Sequence, residues 1–253
     1  MAGPSGTEGE PAHPARPLHP ASPLHPASPA STRTVAAALA RAARLGDYFG
    51  ISSGDAAGPW QAAAPEYGDG LRSQVDHTAR QLGVSQRRVA ASIAHLGYAA
   101  RLWSPVLACA LGSGIVPDLT DLQISGDFPV RLCLRQPGGW HCAEPRAQAE
   151  LVYDAVVTAH LEPLVAGLDC RIASRLLWGN AASAMIGALG VIVRASPDFA
   201  GPARTLADLL LSTGRLRGTG QFTGASLSFR RRSCCLYYRV PGGGLCGDCS
   251  LSS

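Results

Sequence analysis

Lysine is absent from this sequence, and all 22 basic residues are arginine. The arginines are scattered, apart from the run Arg230–Arg232, so the chain lacks the concentrated basic stripe that a nucleic-acid-binding surface requires. Aromatic residues amount to only 6%, whereas hydrophobic residues reach 46%, much of it alanine. This composition fits a globular protein with a helix-rich core, and 253 residues suit one domain with or without tails.

Several functional signatures are also missing. Residues 1–33 contain no apolar core of a signal peptide, so none is predicted. The glycine-rich run Gly218–Gly224 misses the dinucleotide fingerprint by one residue and follows no predicted strand. A bound nucleotide is therefore not predicted as a source of reducing equivalents. In addition, no serine, histidine and carboxylate grouping has a spacing that indicates a hydrolase.

The longest uncharged stretch runs from Leu176 to Val193 and just reaches the length of a membrane-spanning helix. It contains Asn180, Ser183 and three glycines, and most of the remainder is alanine, which gains little from lipid. The pattern therefore favours a buried core helix. Within it, Trp178–Asn180 could line a site, although packing is the favoured interpretation.

Cysteine is concentrated at one end of the chain. Four of the eight cysteines lie in the last twenty residues, with the spacing CC-x10-C-x2-C: Cys234, Cys235, Cys246 and Cys249. The other four (Cys109, Cys133, Cys142, Cys170) stand singly among apolar residues and are predicted to be small buried hydrophobes. An exposed group of thiolates indicates a reducing compartment, which favours the cytoplasm.

Three explanations for the clustered cysteines fit their spacing to different degrees. A Cys234–Cys235 disulfide is strained, since adjacent Cα atoms lie about 3.8 Å apart and disulfides usually begin near 4.4 Å. A structural zinc site normally uses two C-x2-C knuckles, and only Cys246–Cys249 is one. Four thiolates are the usual ligands of a [2Fe–2S] cluster, although the spacing matches neither common ferredoxin pattern. The residues alone indicate a four-thiolate metal site, with iron–sulfur favoured and zinc open.

The segment Arg232–Cys249, RSCCLYYRVPGGGLCGDC, resembles the C-terminal signature of the FhuF-like family, bacterial ferric-siderophore reductases that bind one [2Fe–2S] cluster. A weaker likeness extends to His160–Leu164 (HLEPL) and Arg175–Ala184 (RLLWGNAASA), so the resemblance is expected to cover residues 70–253. It implies Cys234, Cys235, Cys246 and Cys249 as ligands of a [2Fe–2S] cluster. It also implies one-electron reduction of Fe(III) to Fe(II), which releases iron from a siderophore and needs no catalytic acid or base.

The expected partners follow from the same resemblance and, for the electron donor, from the missing nucleotide-binding loop. They are a ferric siderophore as substrate, an external electron donor (a flavoprotein, a ferredoxin or a small reductant), and transient association with the inner face of a siderophore transporter. A non-catalytic electron carrier or an iron or redox sensor is the alternative function. Arg230, Arg231, Arg232 and Arg239 are the nearest cations to the cysteines, and any within reach would stabilise the reduced cluster.

The predicted fold class is α+β: a helix-dominated single domain with a small central β-hairpin or meander and a short C-terminal iron–sulfur-binding segment. Residues 1–33, with the repeat LHPASP, are predicted to be a disordered tail, residues 34–220 the helix-rich domain, and residues 221–253 the cluster-binding segment. Alternating residues near Leu132 predict a half-buried strand. Pro105 is expected to start or kink a second helix.

Overall fold

The computed structural model describes residues 27–55, 57–63, 67–224 and 226–252. Helices dominate this part of the chain, as predicted, and short strands form three small sheets. The α-helices are α1 (Thr32–Ala43), α2 (Asp69–Leu82), α3 (Arg87–Ser113), α4 (Pro145–Tyr153), α5 (Glu162–Ala166), α6 (Ser174–Ala195) and α7 (Ala200–Leu211). A π-helical stretch, Asp154–Leu161, joins α4 to α5.

Helices α3 and α6 pack along each other and form the centre of the molecule. On α3, Leu102, Trp103, Val106 and Leu107 have no exposed surface. Facing positions of α6 are small or flexible side chains, and Ala181, Ala182, Met185 and Leu189 are likewise fully buried. Helix α6 is the one described helix that is long and apolar enough to cross a membrane, but 72% of its most apolar window is buried inside the protein. The predicted core helix is confirmed.

Pro105 lies inside α3, so it does not start a second helix, which was one of the two roles predicted for it. A proline inside a helix costs about 3 kcal/mol, because it removes one hydrogen bond and crowds the preceding turn. Burial of one leucine or valine is worth about 1.5–3 kcal/mol, and the residues on both sides of Pro105 are fully buried. Packing therefore outweighs the local cost, and the helix continues to Ser113, where Gly114 ends it at a φ of 62°.

The strands are β1 (Ser28–Pro29), β2 (Ile51–Ser53), β3 (Trp60–Ala62), β4 (Ile115–Pro117), β5 (Gln123–Ser125), β6 (Leu132–Leu134), β7 (Gly139–His141), β8 (Gly220–Phe222) and β9 (Phe229–Arg231). The predicted central hairpin is present as the antiparallel pair β5–β6. Strand β6 is also paired in parallel with β2, and all three of its residues are buried. The predicted half-burial was therefore wrong within β6, because Cys133, on the face opposite Leu132 and Leu134, is buried as well.

The folded part of the chain begins earlier than the predicted boundary at residue 33. Strand β1 pairs with β7, and Ala30 N–H donates to the carbonyl of Gly139 at 2.9 Å. The side chain of Ser31 then caps α1 by accepting from Thr34 N–H. Local composition resembles a tail here, but β7 supplies the hydrogen bonds that order it. Residues 1–26 of the predicted tail lie outside the described residues.

Candidate metal centre

The hairpin β8–β9 leads directly into the cysteine segment. Gly220 lies against the ring of Phe229, and a Cβ at Gly220 would meet that ring at 2.1 Å. The glycine-rich run around Gly220 thus serves strand packing. Arg232 N–H then donates to the carbonyl of Thr219 at 2.8 Å, and Arg231 N–H donates to the carbonyl of Asp248 at 3.1 Å. The second bond ties the start of the segment to the Cys246–Cys249 knuckle.

The backbone turns immediately after the adjacent cysteines. Leu236 has a φ of 67°, the one positive φ at a non-glycine residue in the described part of the chain. This left-handed residue redirects the chain into a 3₁₀ turn, Tyr237–Arg239, instead of letting it run on as a strand. Gly242, at a φ of 71°, supplies the return bend. The two halves of the motif are thereby folded back on each other.

The four sulfurs are free thiols in this fold, and two of them are in contact. The Sγ atoms of Cys235 and Cys246 lie 3.4 Å apart. Leu236 N–H donates to the Sγ of Cys234 and Leu251 N–H donates to the Sγ of Cys249, each at 3.3 Å. Backbone N–H bonds of this kind stabilise negative charge on sulfur and tune iron–sulfur potentials.

This arrangement fits a thiolate-ligated cluster. A metal–sulfur bond of about 2.3 Å in a tetrahedral site places two thiolates of one metal about 3.8 Å apart, close to the Cys235–Cys246 separation. Burial is the larger cause that raises the pKa of the Cys246 thiol, and the neighbouring Cys235 thiol raises it further. A thiolate at Cys246 therefore needs a bound cation to offset its charge. Among the described residues, no group of three or more His, Cys, Asp or Glu side chains is placed to hold one metal ion.

Helices α3 and α6 hold the cysteine segment through a buried chain of hydrogen bonds. Ser92 Oγ on α3 donates to the carbonyl of Cys235 at 2.6 Å. Asn180 Nδ2 on α6 donates to the carbonyl of Ser92 at 2.8 Å, and Ser92 and Asn180 have no exposed surface. Ser233 Oγ adds a bond to the carbonyl of Arg175 at 3.0 Å. These contacts fix the position of Cys235 relative to the core.

Arg231 adds a buried positive charge to this chain of hydrogen bonds. Its side chain is 1% exposed, and one terminal nitrogen donates to Asn180 Oδ1. The same nitrogen also donates to the carbonyl of Leu176 at 3.5 Å. Among the described residues no carboxylate lies within ion-pair distance of the guanidinium, and its buried Nε has no hydrogen-bond partner. A buried cation without a counter-charge is costly. The −2 charge of an oxidised [2Fe–2S] cluster with four thiolates would supply one.

His95 lies on α3 near the same guanidinium and is completely buried. Burial, and secondly the charge of Arg231, lower the pKa of His95 to about 3. The imidazole is therefore neutral at physiological pH, so the fold buries one cation here and not two.

The segment approaches α6 at Gly179. A Cβ at this position would lie 2.2 Å from Ser233 Oγ and 3.2 Å from a terminal nitrogen of Arg231. Only a residue without a side chain lets the cysteine segment come this close to the helix. The favoured interpretation of Trp178–Asn180 as packing was right about burial, but Gly179 and Asn180 pack against the cysteine segment itself.

The remaining arginines of the motif are exposed. Arg239 Nε donates to Tyr238 Oη at 3.0 Å, and its Nη1 donates to Gln86 Oε1 at 3.3 Å. Arg232 reaches Gln221 Oε1 at 3.4 Å. Of the four cations singled out in the sequence, only Arg231 is placed in a low-dielectric environment.

Other candidate residues lie away from this centre. His160, from the HLEPL stretch, is 2% exposed; its Nε2 donates to the carbonyl of Leu119 at 2.9 Å, and its Nδ1 accepts from Tyr67 Oη. Cys109, Cys133 and Cys142 are buried, as predicted, and Cys170 is partly exposed. The sequence analysis missed Ser92 and Ser233. One signal was available: Asn180 is a lone amide in an apolar helix, and such a group must find a buried partner.

Two of the four cysteine sulfurs are in contact and the other two accept backbone N–H bonds, an arrangement that fits a thiolate-ligated metal centre. Residues 231–251 match the family model of the FhuF 2Fe-2S C-terminal domain, which confirms the resemblance over this segment and indicates a [2Fe–2S] cofactor. Neither a curated protein nor a solved structure matches the chain. The assignment of Cys234, Cys235, Cys246 and Cys249 as the four ligands, and the likeness upstream of residue 231, stay predictions.

Proposed function

We propose that this protein is a cytoplasmic [2Fe–2S] ferric-siderophore reductase. One electron passes to Fe(III) held in a siderophore, and the product Fe(II) is released. The observation that carries the proposal is the position of the matched segment: Gly247 and Asp248, inside the Cys246–Cys249 knuckle, form part of the wall of a groove in the surface.

This groove has a volume of about 660 Å³, within the roughly 300–1,000 Å³ range of small-molecule sites. Its lining includes the small residues Ser183, Gly187 and Gly190 of α6. Residues 226–229 and the knuckle also line it. A chelate seated there would touch the backbone between two of the cysteines, which keeps the path for an electron short.

Two arginines line the groove and suit an anionic ferric chelate. Arg194 lies in the last turn of α6. Arg204 on α7 is held in place by Asp208 at 2.9 Å and the carbonyl of Gly224 at 3.0 Å, and it stacks over Phe222 at 3.8 Å. Hydroxyl groups of Ser183, Ser226 and Ser228 offer further hydrogen bonds. These residues bind and orient the chelate, and none of them transfers a proton.

The chemistry requires little else from the protein. Siderophores hold Fe(III) through hard oxygen donors and hold Fe(II) far less tightly, so one electron is sufficient for release. A bound [2Fe–2S] cluster supplies one-electron transfer. The reductant is an external one-electron donor, which becomes oxidised by one electron for each Fe(III) reduced.

The first expected result concerns the cofactor. Protein purified without oxygen should be reddish-brown and should contain about two irons and two acid-labile sulfides per chain, because four thiolates ligate this cluster type. Iron and sulfide assays and the visible spectrum measure this directly. Stoichiometric zinc without sulfide, after anaerobic reconstitution, would contradict the cofactor assignment.

The second expected result concerns the reaction. After reduction, the cluster should reoxidise faster when a ferric siderophore is added, with one Fe(II) formed per cluster oxidised. Arg194→Gln should slow this reoxidation at low chelate concentration, since it removes a groove cation, whereas Arg44→Gln, at the exposed end of α1, should not. Stopped-flow absorbance with chelates of hydroxamate, catecholate and carboxylate type tests this. A cluster that reoxidises no faster with any chelate would favour an electron carrier or a redox sensor.

A further inference from the structure

Large apolar side chains are exposed mainly around the cysteines. In the described part of the chain five large hydrophobic residues are prominently exposed, and four of them lie between residues 237 and 251. Leu245 and Leu251 are 58% and 56% exposed and flank the Cys246–Cys249 knuckle. Tyr237 and Tyr238 are 39% and 43% exposed and directly follow the Cys234–Cys235 turn. Single exposed apolar residues are ordinary, but their concentration beside one site marks an interaction surface.

Exposed positive charge accompanies these side chains. Arg230 and Arg232 precede the first cysteine pair, both are exposed, and neither forms an ion pair with a described residue. Arg239 braces Tyr238 through a hydrogen bond at 3.0 Å and lies over its ring at 5.3 Å. We call Tyr237, Tyr238, Leu245 and Leu251, together with Arg230 and Arg232, the donor face. It combines apolar anchors with unneutralised cations.

The composition of the donor face favours a protein over a small chelate. Small ligands take concave sites, and none of the four apolar side chains lines the groove that contains Gly247 and Asp248. Tyrosine and arginine are the residue types enriched at protein interfaces. Unpaired cations on the rim attract a partner of opposite charge and raise its association rate.

We propose that the donor face binds a small acidic one-electron carrier protein, of the ferredoxin or flavodoxin class. The reduced carrier loses one electron, and the [2Fe–2S] centre gains that electron with no bond made or broken. Electrons thus enter across the exposed apolar surface and leave through the groove. The inference rests on the cluster and not on the identity of the final electron acceptor, so its test needs no siderophore.

Electron uptake is measured with a reduced acidic plant-type ferredoxin as the probe and the holoprotein as acceptor. We expect Leu245→Ser/Leu251→Ser to lower the second-order rate constant for cluster reduction about tenfold or more, since each tenfold corresponds to about 1.4 kcal/mol of lost contact. Arg230→Gln/Arg232→Gln should flatten the dependence of that rate constant on ionic strength. Reduction by a photoexcited deazaflavin, which needs no docking surface, should stay within twofold for both variants.

Matched controls use the same residue types elsewhere. Tyr48→Ser removes the remaining exposed large hydrophobic of the described chain, and Arg44→Gln removes an exposed arginine of α1; both should behave as wild type. Equal ferredoxin rates in all variants would overturn the proposal. So would variants that slow reoxidation by a ferric chelate while ferredoxin uptake is unchanged, because the face would then be the substrate site. A concentration-dependent dimer lost in Leu245→Ser/Leu251→Ser, with unchanged ferredoxin rates, would assign the face to a second copy of this chain.

Discussion

Arg231→Gln should lower the midpoint potential of the cluster substantially, because it removes a positive charge that is buried beside the cysteine segment. Reduction takes the cluster with its thiolates from −2 to −3, so a nearby cation stabilises the reduced form more than the oxidised form. At an effective dielectric constant near 20 and a distance of about 8 Å, one charge is worth roughly 2 kcal/mol, on the order of 90 mV for one electron. A spectroelectrochemical titration measures the shift.

The exposed arginines of the same motif are the controls for this prediction. Arg230→Gln, Arg232→Gln and Arg239→Gln remove the same charge where the dielectric constant approaches that of water, so each shift should be about a quarter as large, and less in salt. Arg231→Lys keeps the charge and should stay near wild type even if the hydrogen bond to Asn180 weakens. Equal shifts for Arg231→Gln and Arg230→Gln, with the cluster intact, would contradict an electrostatic role for Arg231.

Gly179→Ala should impair cluster retention without destabilising the helical domain. The new Cβ would lie 2.2 Å from Ser233 Oγ, so Ser233 must give up its bond to the carbonyl of Arg175 or the cysteine segment must move away from α6. In the apoprotein, alanine in a helix is favoured over glycine by about 0.5–1 kcal/mol, so its melting temperature should not fall. We therefore expect iron and sulfide content to fall by half or more while the apoprotein unfolds at the same or a higher temperature.

The adjacent serine allows a rescue of this variant. Ser233→Ala removes the clashing oxygen, and the Ser233 Cβ lies at an acceptable 3.6 Å from the new methyl group, so Gly179→Ala/Ser233→Ala should regain most of the iron. Gly187→Ala, on the same helix with no atom within 4 Å of its new Cβ, is the matched control and should retain the cluster. Loss of iron in Gly187→Ala, or no recovery in the double variant, would show that the close approach at Gly179 is not what matters.

Local patterns were sufficient for much of the fold. The uncharged run Leu176–Val193 corresponds to α6, and the alternating residues near Leu132 correspond to β6 of the hairpin β5–β6, because both patterns depend on interactions close in sequence. The errors have a common cause. Strand β1, the burial of Cys133 in β6 and the unbroken helix through Pro105 each depend on partners distant in sequence, which no local pattern reports.

In the candidate site, too, some features could be predicted from the sequence and others depend on distant contacts. The metal-binding segment could be predicted from the sequence, because Cys234, Cys235, Cys246 and Cys249 stand within a short stretch of unusual spacing, and the family match confirms that segment. Which arginine of the motif is buried, and which helices carry the segment, depends on tertiary packing. Arg231 and Arg232 are neighbours in the chain, yet β9 turns the first toward Asn180 and leaves the second exposed. Burial depends on contacts between distant segments, and those contacts exist only once α3 and α6 have packed.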